Sequence, residues 1–210
     1  MLEIGGRAVG DSTEIIAELE RRYPEPPLYP SDPGDRAQAL ELEEFFDENY
    51  GHEVRRLAFW HLLSDDEAGL LTMRELAGPR PEPALRALLP GMRAWLFGYY
   101  GIDELSAGLA RERIEAGFDR IETERAGGDY LVGDGFSVAD LTAAALVAPL
   151  LMPPDFPWRP RAGPHPAVTR LQQELGRHPA ADWVVRIYAR HRRPWTRAPA
   201  GETVASAAHD

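Results

Sequence analysis

The chain contains no cysteine and no lysine among its 210 residues. The first absence excludes a disulfide framework, thiolate metal ligands and a cysteine nucleophile within these residues, and it agrees with a cytoplasmic location. Any thiol chemistry must therefore use a sulfur brought by a ligand. The second absence makes arginine the source of all 23 basic side chains, set against 34 acidic ones for a formal net charge of −11. A phosphate-backbone binder carries a basic footprint, so nucleic acid is not an expected partner. Long apolar runs are also missing. The longest uncharged stretch after Asp140 is Leu141 to Pro154, short of the ~20 residues a membrane span needs. No basic-then-apolar leader opens the chain, and the expectation is a soluble protein with no membrane partner. The six histidines show no metal spacing: His52 and His61 stand nine residues apart on one predicted helix, not the four that share a face, so no metal is expected.

What is present begins with a short strand, a turn and a second strand: Leu2-Glu3-Ile4, Gly5-Gly6 and Arg7-Ala8-Val9 follow the pattern of a tight hairpin. A helix starts at once, with Asp11 as N-cap, Glu14 completing a capping box and Ile15, Ile16 and Leu19 at helical spacing. A lone hairpin is marginal in water, and the rest of the chain offers no convincing partner strand. The expectation is that a sheet is incomplete upstream or that another element covers the edge.

Residues 24–35 carry five prolines between Tyr23 and Gly34, too many for a helix or paired strand, and predict an extended linker and a domain boundary. Beyond it the pattern predicts only helices, over 36–63 with a break near Gly51, then 66–76, 83–100, 104–126, 137–152, 166–176 and 179–191. The tail from Ala198 is small and polar and reads as disordered. In the 104–126 helix, Leu105, Leu109, Ile114, Phe118 and Ile121 are taken as one apolar side. From Leu141 to Met152 only Thr142 is polar, which places that helix at the centre of a bundle. Its start is strongly specified. Ser137 and Asp140 form a reciprocal capping box, with Phe136 and Leu141 placed as a hydrophobic staple, and Asp140 is accordingly structural.

These residues resemble the soluble glutathione transferase family. Met1-Leu2-Glu3-Ile4, Arg7-Ala8-Val9 and Asp11-Ser12 look like the last strands and the acidic-Ser helix start of its thioredoxin-like domain. Pro30-Ser31-Asp32-Pro33 with Arg36-Ala37 resembles its linker and first long helix, and Tyr130 through Leu141 its capped central helix. The fold class implied is mainly α: an all-helical transferase C-terminal bundle preceded by a truncated thioredoxin-like α/β fragment, hairpin plus helix. The implied domains are a thioredoxin-like remnant at 1–23, a linker at 24–35, the helical domain at 36–195 and a disordered tail at 196–210. The family's cis-proline would fall just before Met1, and its catalytic tyrosine, serine or cysteine further upstream. A mis-assigned start codon and a shortened gene would both explain this.

The resemblance implies glutathione as co-substrate, held at its γ-glutamyl end by Asp11 and Ser12. That end is a zwitterion: a helix N-terminus and the Ser12 hydroxyl suit its carboxylate, and the Asp11 carboxylate suits its ammonium. On spacing alone, Asp11 is simply an N-cap and Ser12 a first-turn residue. Both residues bind; neither lowers the pKa of a thiol, so no catalytic residue is expected in this chain. The resemblance further implies a small apolar electrophile as second substrate, a homodimer and a cytoplasmic home. Trp60, Trp95, Tyr99 and Tyr100 lie on helices that would face the electrophile, but most bundle aromatics are core, so at most one or two are expected in a pocket. The rivals are a non-catalytic helical interaction module of the same architecture and a glutathione-dependent reductase or isomerase. The Arg190-His191-Arg192-Arg193 cluster reads as favourable charge at a helix C-terminus.

Overall fold

The computed structural model describes residues 2–4, 7–78, 80–157, 163 and 165–192. Its elements are β1 (Leu2–Ile4), β2 (Arg7–Val9), α1 (Ser12–Arg22), α2 (Pro33–Leu63), α3 (Asp66–Ala77), α4 (Glu82–Tyr100), α5 (Glu104–Arg125), α6 (Val138–Leu151), α7 (Pro166–Leu175) and α8 (Pro179–His191). The protein is mainly α. The two strands pair antiparallel, Leu2 opposite Val9 and Ile4 opposite Arg7, as a two-stranded sheet. The Gly5-Gly6 turn and the tail from residue 193 lie outside the described residues.

The long helix α2 begins where Asp32 turns its carboxylate onto the Gly34 and Asp35 N–H groups, at 2.8 and 3.0 Å, with Pro33 in the first position. It continues through Gly51 without the expected break. A helical glycine costs only about 1 kcal/mol relative to alanine, and α2 buries Leu42, Phe46, Tyr50, Val54 and Leu57 on either side of that position. Burial of one continuous face therefore outweighs the local weakness.

Helix α6 lies at the centre, packed on α2, α7 and α8. Val138, Ala139, Ala143, Ala144, Val147 and Ala148 are all buried, and the alanines allow close approach on several sides. The face of α5 is a second expectation that fails in detail. Ile114, Phe118 and Ile121 are buried, but Leu105 and Leu109 are exposed, the former by 74%. At 100° per residue, Leu105 lies half a turn away from Ile114, and the buried stripe is instead completed by Ala107, Ala110 and Gly117.

A satellite core joins Leu63 to Leu70 and Met73 of α3 and Leu85 and Leu89 of α4. Of the aromatics considered above, Trp95 and Tyr99 are 65% and 70% exposed, with their rings stacked 5.7 Å apart. The stripe they form is not a core face. Glu53, buried on α2, is held by Arg56 at 2.7 Å and by Arg113 of α5, which ties α2 to α5 by charge as well as by packing.

Candidate functional site

Val9 is buried at the end of β2, and Asp11 then caps α1, its carboxylate accepting the Glu14 N–H at 3.1 Å. Asp11 and Ser12 stand side by side at the open end of this helix, both exposed. The exposed N–H groups of the first turn add partial positive charge there. The arrangement offers a carboxylate, a hydroxyl and free amides within one turn, the set an amino acid zwitterion needs.

Next along the helix, Thr13 is a residue that sequence reading passed over. Its hydroxyl donates to Glu43 Oε1 of α2 at 2.7 Å, and Glu43 is buried. This bond joins α1 to the helical bundle immediately beside Asp11 and Ser12. Nothing in the local pattern signals it, because the two residues are 30 positions apart and meet only through the fold.

A second tie runs through the linker. Glu20 of α1 accepts the backbone N–H groups of Leu28, at 3.1 Å, and of Tyr29, at 3.4 Å. The Leu28 carbonyl in turn accepts the Val138 N–H at 2.9 Å, in the first turn of α6. Residues 24–32 have no regular structure, as their prolines dictate, yet they are docked at both sides. Arg36 lies 4.6 Å over the ring of Tyr29 and closes the same joint.

The start of α6 is set by Asp140, which is fully buried. Its Oδ2 accepts the Ser137 N–H at 2.8 Å and the Ser137 hydroxyl at 2.9 Å, while Oδ1 accepts the Leu131 N–H at 2.8 Å. Ser137 and Asp140 form a capping box. The bond to Leu131 is an addition that spacing could not reveal, and it draws the segment before α6 onto the helix start. Burial pushes the Asp140 carboxyl above its ordinary pKa, and the hydrogen bonds from Leu131 and Ser137 oppose that shift. Phe136 stacks on His191 of α8, ring centroids 4.1 Å apart. The His191 ring also sits 3.1 Å from the Tyr130 hydroxyl.

These contacts bring Ser137 and Asp140 into one chain of support with the α1 unit, through Val138, Leu28 and Glu20. They do not bring Asp140 to Asp11 or Ser12. No group of three or more potential metal-ligating side chains gathers among the described residues. None of the described helices is long and apolar enough to cross a membrane.

Residues 100–171 match the family model for the glutathione S-transferase C-terminal domain. Among characterised proteins, the chain is 27% identical to a maleylacetoacetate isomerase of Dictyostelium discoideum over 176 residues, covering 83% of this chain and 63% of that protein. It is 28% identical over 149 residues to FtsZ-localized protein A of Caulobacter vibrioides, covering 71% and 53%. The chain thus spans less than two thirds of the length of either relative. A crystal structure of a glutathione S-transferase from Methylobacterium radiotolerans, in complex with glutathione sulfonate, matches over 93% of this chain and 71% of that one, with 23% identity and a TM-score of 0.37. The match to the glutathione S-transferase C-terminal domain thus runs from the end of α4 through α5 and α6 and into α7.

Proposed function

We propose that the protein is glutathione transferase-like: it binds glutathione as co-substrate and, in complete form, directs the thiol to a small apolar electrophile. The match of residues 100–171 to the transferase C-terminal domain carries the reading. The Asp11-Ser12 pair at the head of α1 supports it chemically. In this reading residues 1–23 are the end of a thioredoxin-like glutathione-binding domain, 24–35 its linker, 36–195 the helical domain and 196–210 a tail. Ser12 and the first-turn amides take the γ-glutamyl carboxylate, and Asp11 takes the ammonium. The protein works in the cytoplasm as a homodimer and needs no metal.

Asp11 and Ser12 hold the ligand far from its sulfur, so they contribute binding and not thiolate formation. Lowering a thiol pKa requires a donor aimed at the sulfur itself. On this reading the loss of either side chain weakens glutathione binding and leaves the thiol pKa unchanged.

The similarity to a maleylacetoacetate isomerase favours a second reading, a glutathione-dependent isomerase on the same scaffold. The two differ in their balance: a transferase consumes glutathione stoichiometrically, whereas an isomerase returns it unchanged. Calorimetry with glutathione on the wild type and Ser12→Ala tests the cradle. Heat that saturates in the millimolar range and is lost in the variant supports it; no heat, or an undiminished signal in the variant, overturns it. Following glutathione consumption with 1-chloro-2,4-dinitrobenzene, and again with maleylacetoacetate, separates the two activities. Rapid conjugation by this chain would refute the assignment of a purely binding role to Asp11 and Ser12.

A further inference from the structure

At the other end of the bundle, α2, α3, α6 and α7 surround a cavity of about 420 Å³, a volume typical of small-molecule sites. It is remote from the candidate cradle. Ala58, in its wall, lies fifteen residues beyond Glu43 on α2, which is ~22 Å along the helix axis. The cavity also meets α6 at Pro149 and Leu150, whereas the linker meets α6 at Val138, the opposite end. The joint between α1 and the bundle therefore plays no part in building it.

The wall is chiefly hydrocarbon, with Phe59, Leu62, Leu71, Leu150, Val168 and Leu171 prominent. Most of its polar groups are already engaged. The Thr72 hydroxyl bonds to the carbonyls of Leu62 and Ala68, at 3.3 and 2.9 Å. His165 caps α7, its Nδ1 accepting the Ala167 N–H at 3.3 Å while Nε2 lies 3.5 Å from Asp65. Glu75 has a partner as well. His61 and Gln172 remain. Both are half-buried in the lining, on α2 and α7, and among the described residues neither side chain makes a hydrogen bond.

The charge of this surface selects the ligand. Burial lowers the pKa of His61, Arg111 and Arg170 push the same way and Glu174 opposes them, so at neutral pH the imidazole is uncharged, with one nitrogen donating and the other accepting. The Gln172 amide likewise offers both functions. Arg111 is committed to Glu115 and Glu174, at 2.9 and 2.6 Å, and does not serve an anion. The Glu75 carboxylate in the lining disfavours a second carboxylate, and any charged group entering this largely hydrocarbon wall would lose hydration.

We propose that this cavity is a ligand site, separate from the glutathione cradle, for an uncharged and largely apolar molecule carrying one hydroxyl or carbonyl group, which His61 and Gln172 hold by hydrogen bonds. The apolar body fills the space between α2, α3, α6 and α7, and the single polar group satisfies the two side chains that the fold leaves without partners. The site does not depend on glutathione being bound.

Calorimetry on the whole chain with 1-naphthol, 1-naphthoate and 1-naphthylmethylammonium, which share one apolar body, is the test. The expected result is binding of 1-naphthol, with both charged compounds weaker by about ten-fold or more, and a shift of the His61 ring resonances on adding 1-naphthol. His61→Phe with Gln172→Leu should lower 1-naphthol affinity and leave naphthalene affinity unchanged. Leu71→Trp and, separately, Val168→Trp should fill the cavity and remove binding, with circular dichroism confirming that at least one of them is folded. Ser12→Ala should leave 1-naphthol binding intact, so loss of the cradle and loss of this site are told apart. Equal affinity for naphthol and naphthoate, binding that survives in a folded cavity-filled variant, or no binding up to the solubility limit overturns the proposal.

Discussion

The ring of Tyr50 on α2 packs directly against Gly117 of α5, and the Tyr50 hydroxyl donates to the Ile114 carbonyl at 3.3 Å. The two long helices can meet this closely only because position 117 has no side chain. A methyl group built on Gly117 would lie 2.6 Å from Tyr50 Cζ, inside any tolerable contact. The same ring packs on Phe46, 5.2 Å away, and Phe118, 6.4 Å away, so it has nowhere to retreat.

Gly117→Ala is therefore expected to destabilise the protein by about 1–3 kcal/mol through overpacking, even after the gain in helix propensity. Gly108→Ala on the same helix provides the contrast. That glycine is exposed with nothing near its Cβ position, and the change should stabilise by about 0.5–1 kcal/mol. Urea unfolding of both variants measures the difference. A neutral Gly117→Ala would refute the close contact.

Asp140→Asn tests the start of α6. The amide nitrogen cannot accept, so at least one of the buried donors from Ser137 and Leu131 loses its partner, at a cost of about 1–3 kcal/mol. The loss should appear as a lower urea midpoint with an unchanged slope. Hydrogen exchange at Leu131 should accelerate together with that at Ser137, which a defect confined to the helix cap would not produce.

Thr13→Val removes the bond to buried Glu43. The α1 unit should then detach more readily from the bundle, raising the rate of Glu-C cleavage after Glu20 of α1 by about 5–30-fold if opening costs 1–2 kcal/mol less. Cleavage at an unchanged rate would mean that the linker contacts alone hold α1.

The stability of the fold should fall as pH drops from 7.5 to 5.5. His61 and His191 both have folded pKa values below the ordinary 6.5, chiefly because burial disfavours their charged forms. Below about pH 6.5 the unfolded chain binds protons that the folded chain does not, and stability is lost as pH falls toward the folded values. His61→Asn should flatten this dependence relative to wild type. Identical pH profiles for the two proteins would count against a neutral His61 in the folded chain.

Local chemistry was legible in advance wherever it was written in neighbouring residues. Ser137 and Asp140 start α6, and the prolines from Pro24 to Pro30 keep residues 24–32 free of helix and strand, whereas the Asp32 cap starts α2 at Pro33, three residues before the expected 36. Periodicity failed where it was counted loosely: Leu105 and Leu109 are apolar, but their angle around α5 points them away from Ile114. Gly51 misled for a related reason, since propensity is a small term beside a continuous buried face.

The sequence by itself determined the helical class, the boundaries of most helices, the central place of α6 and the residues that cap it. Only the tertiary structure decided that Thr13 reaches Glu43, that Leu28 bridges Glu20 to Val138, that Asp140 also holds Leu131, and that four helices line a partly open cavity with His61 and Gln172 in its wall. The physical reason is range. Caps, turns and amphipathic faces are made within one or two helical turns, whereas a buried polar pair or a cavity wall is assembled from residues tens of positions apart, whose meeting depends on how every helix packs.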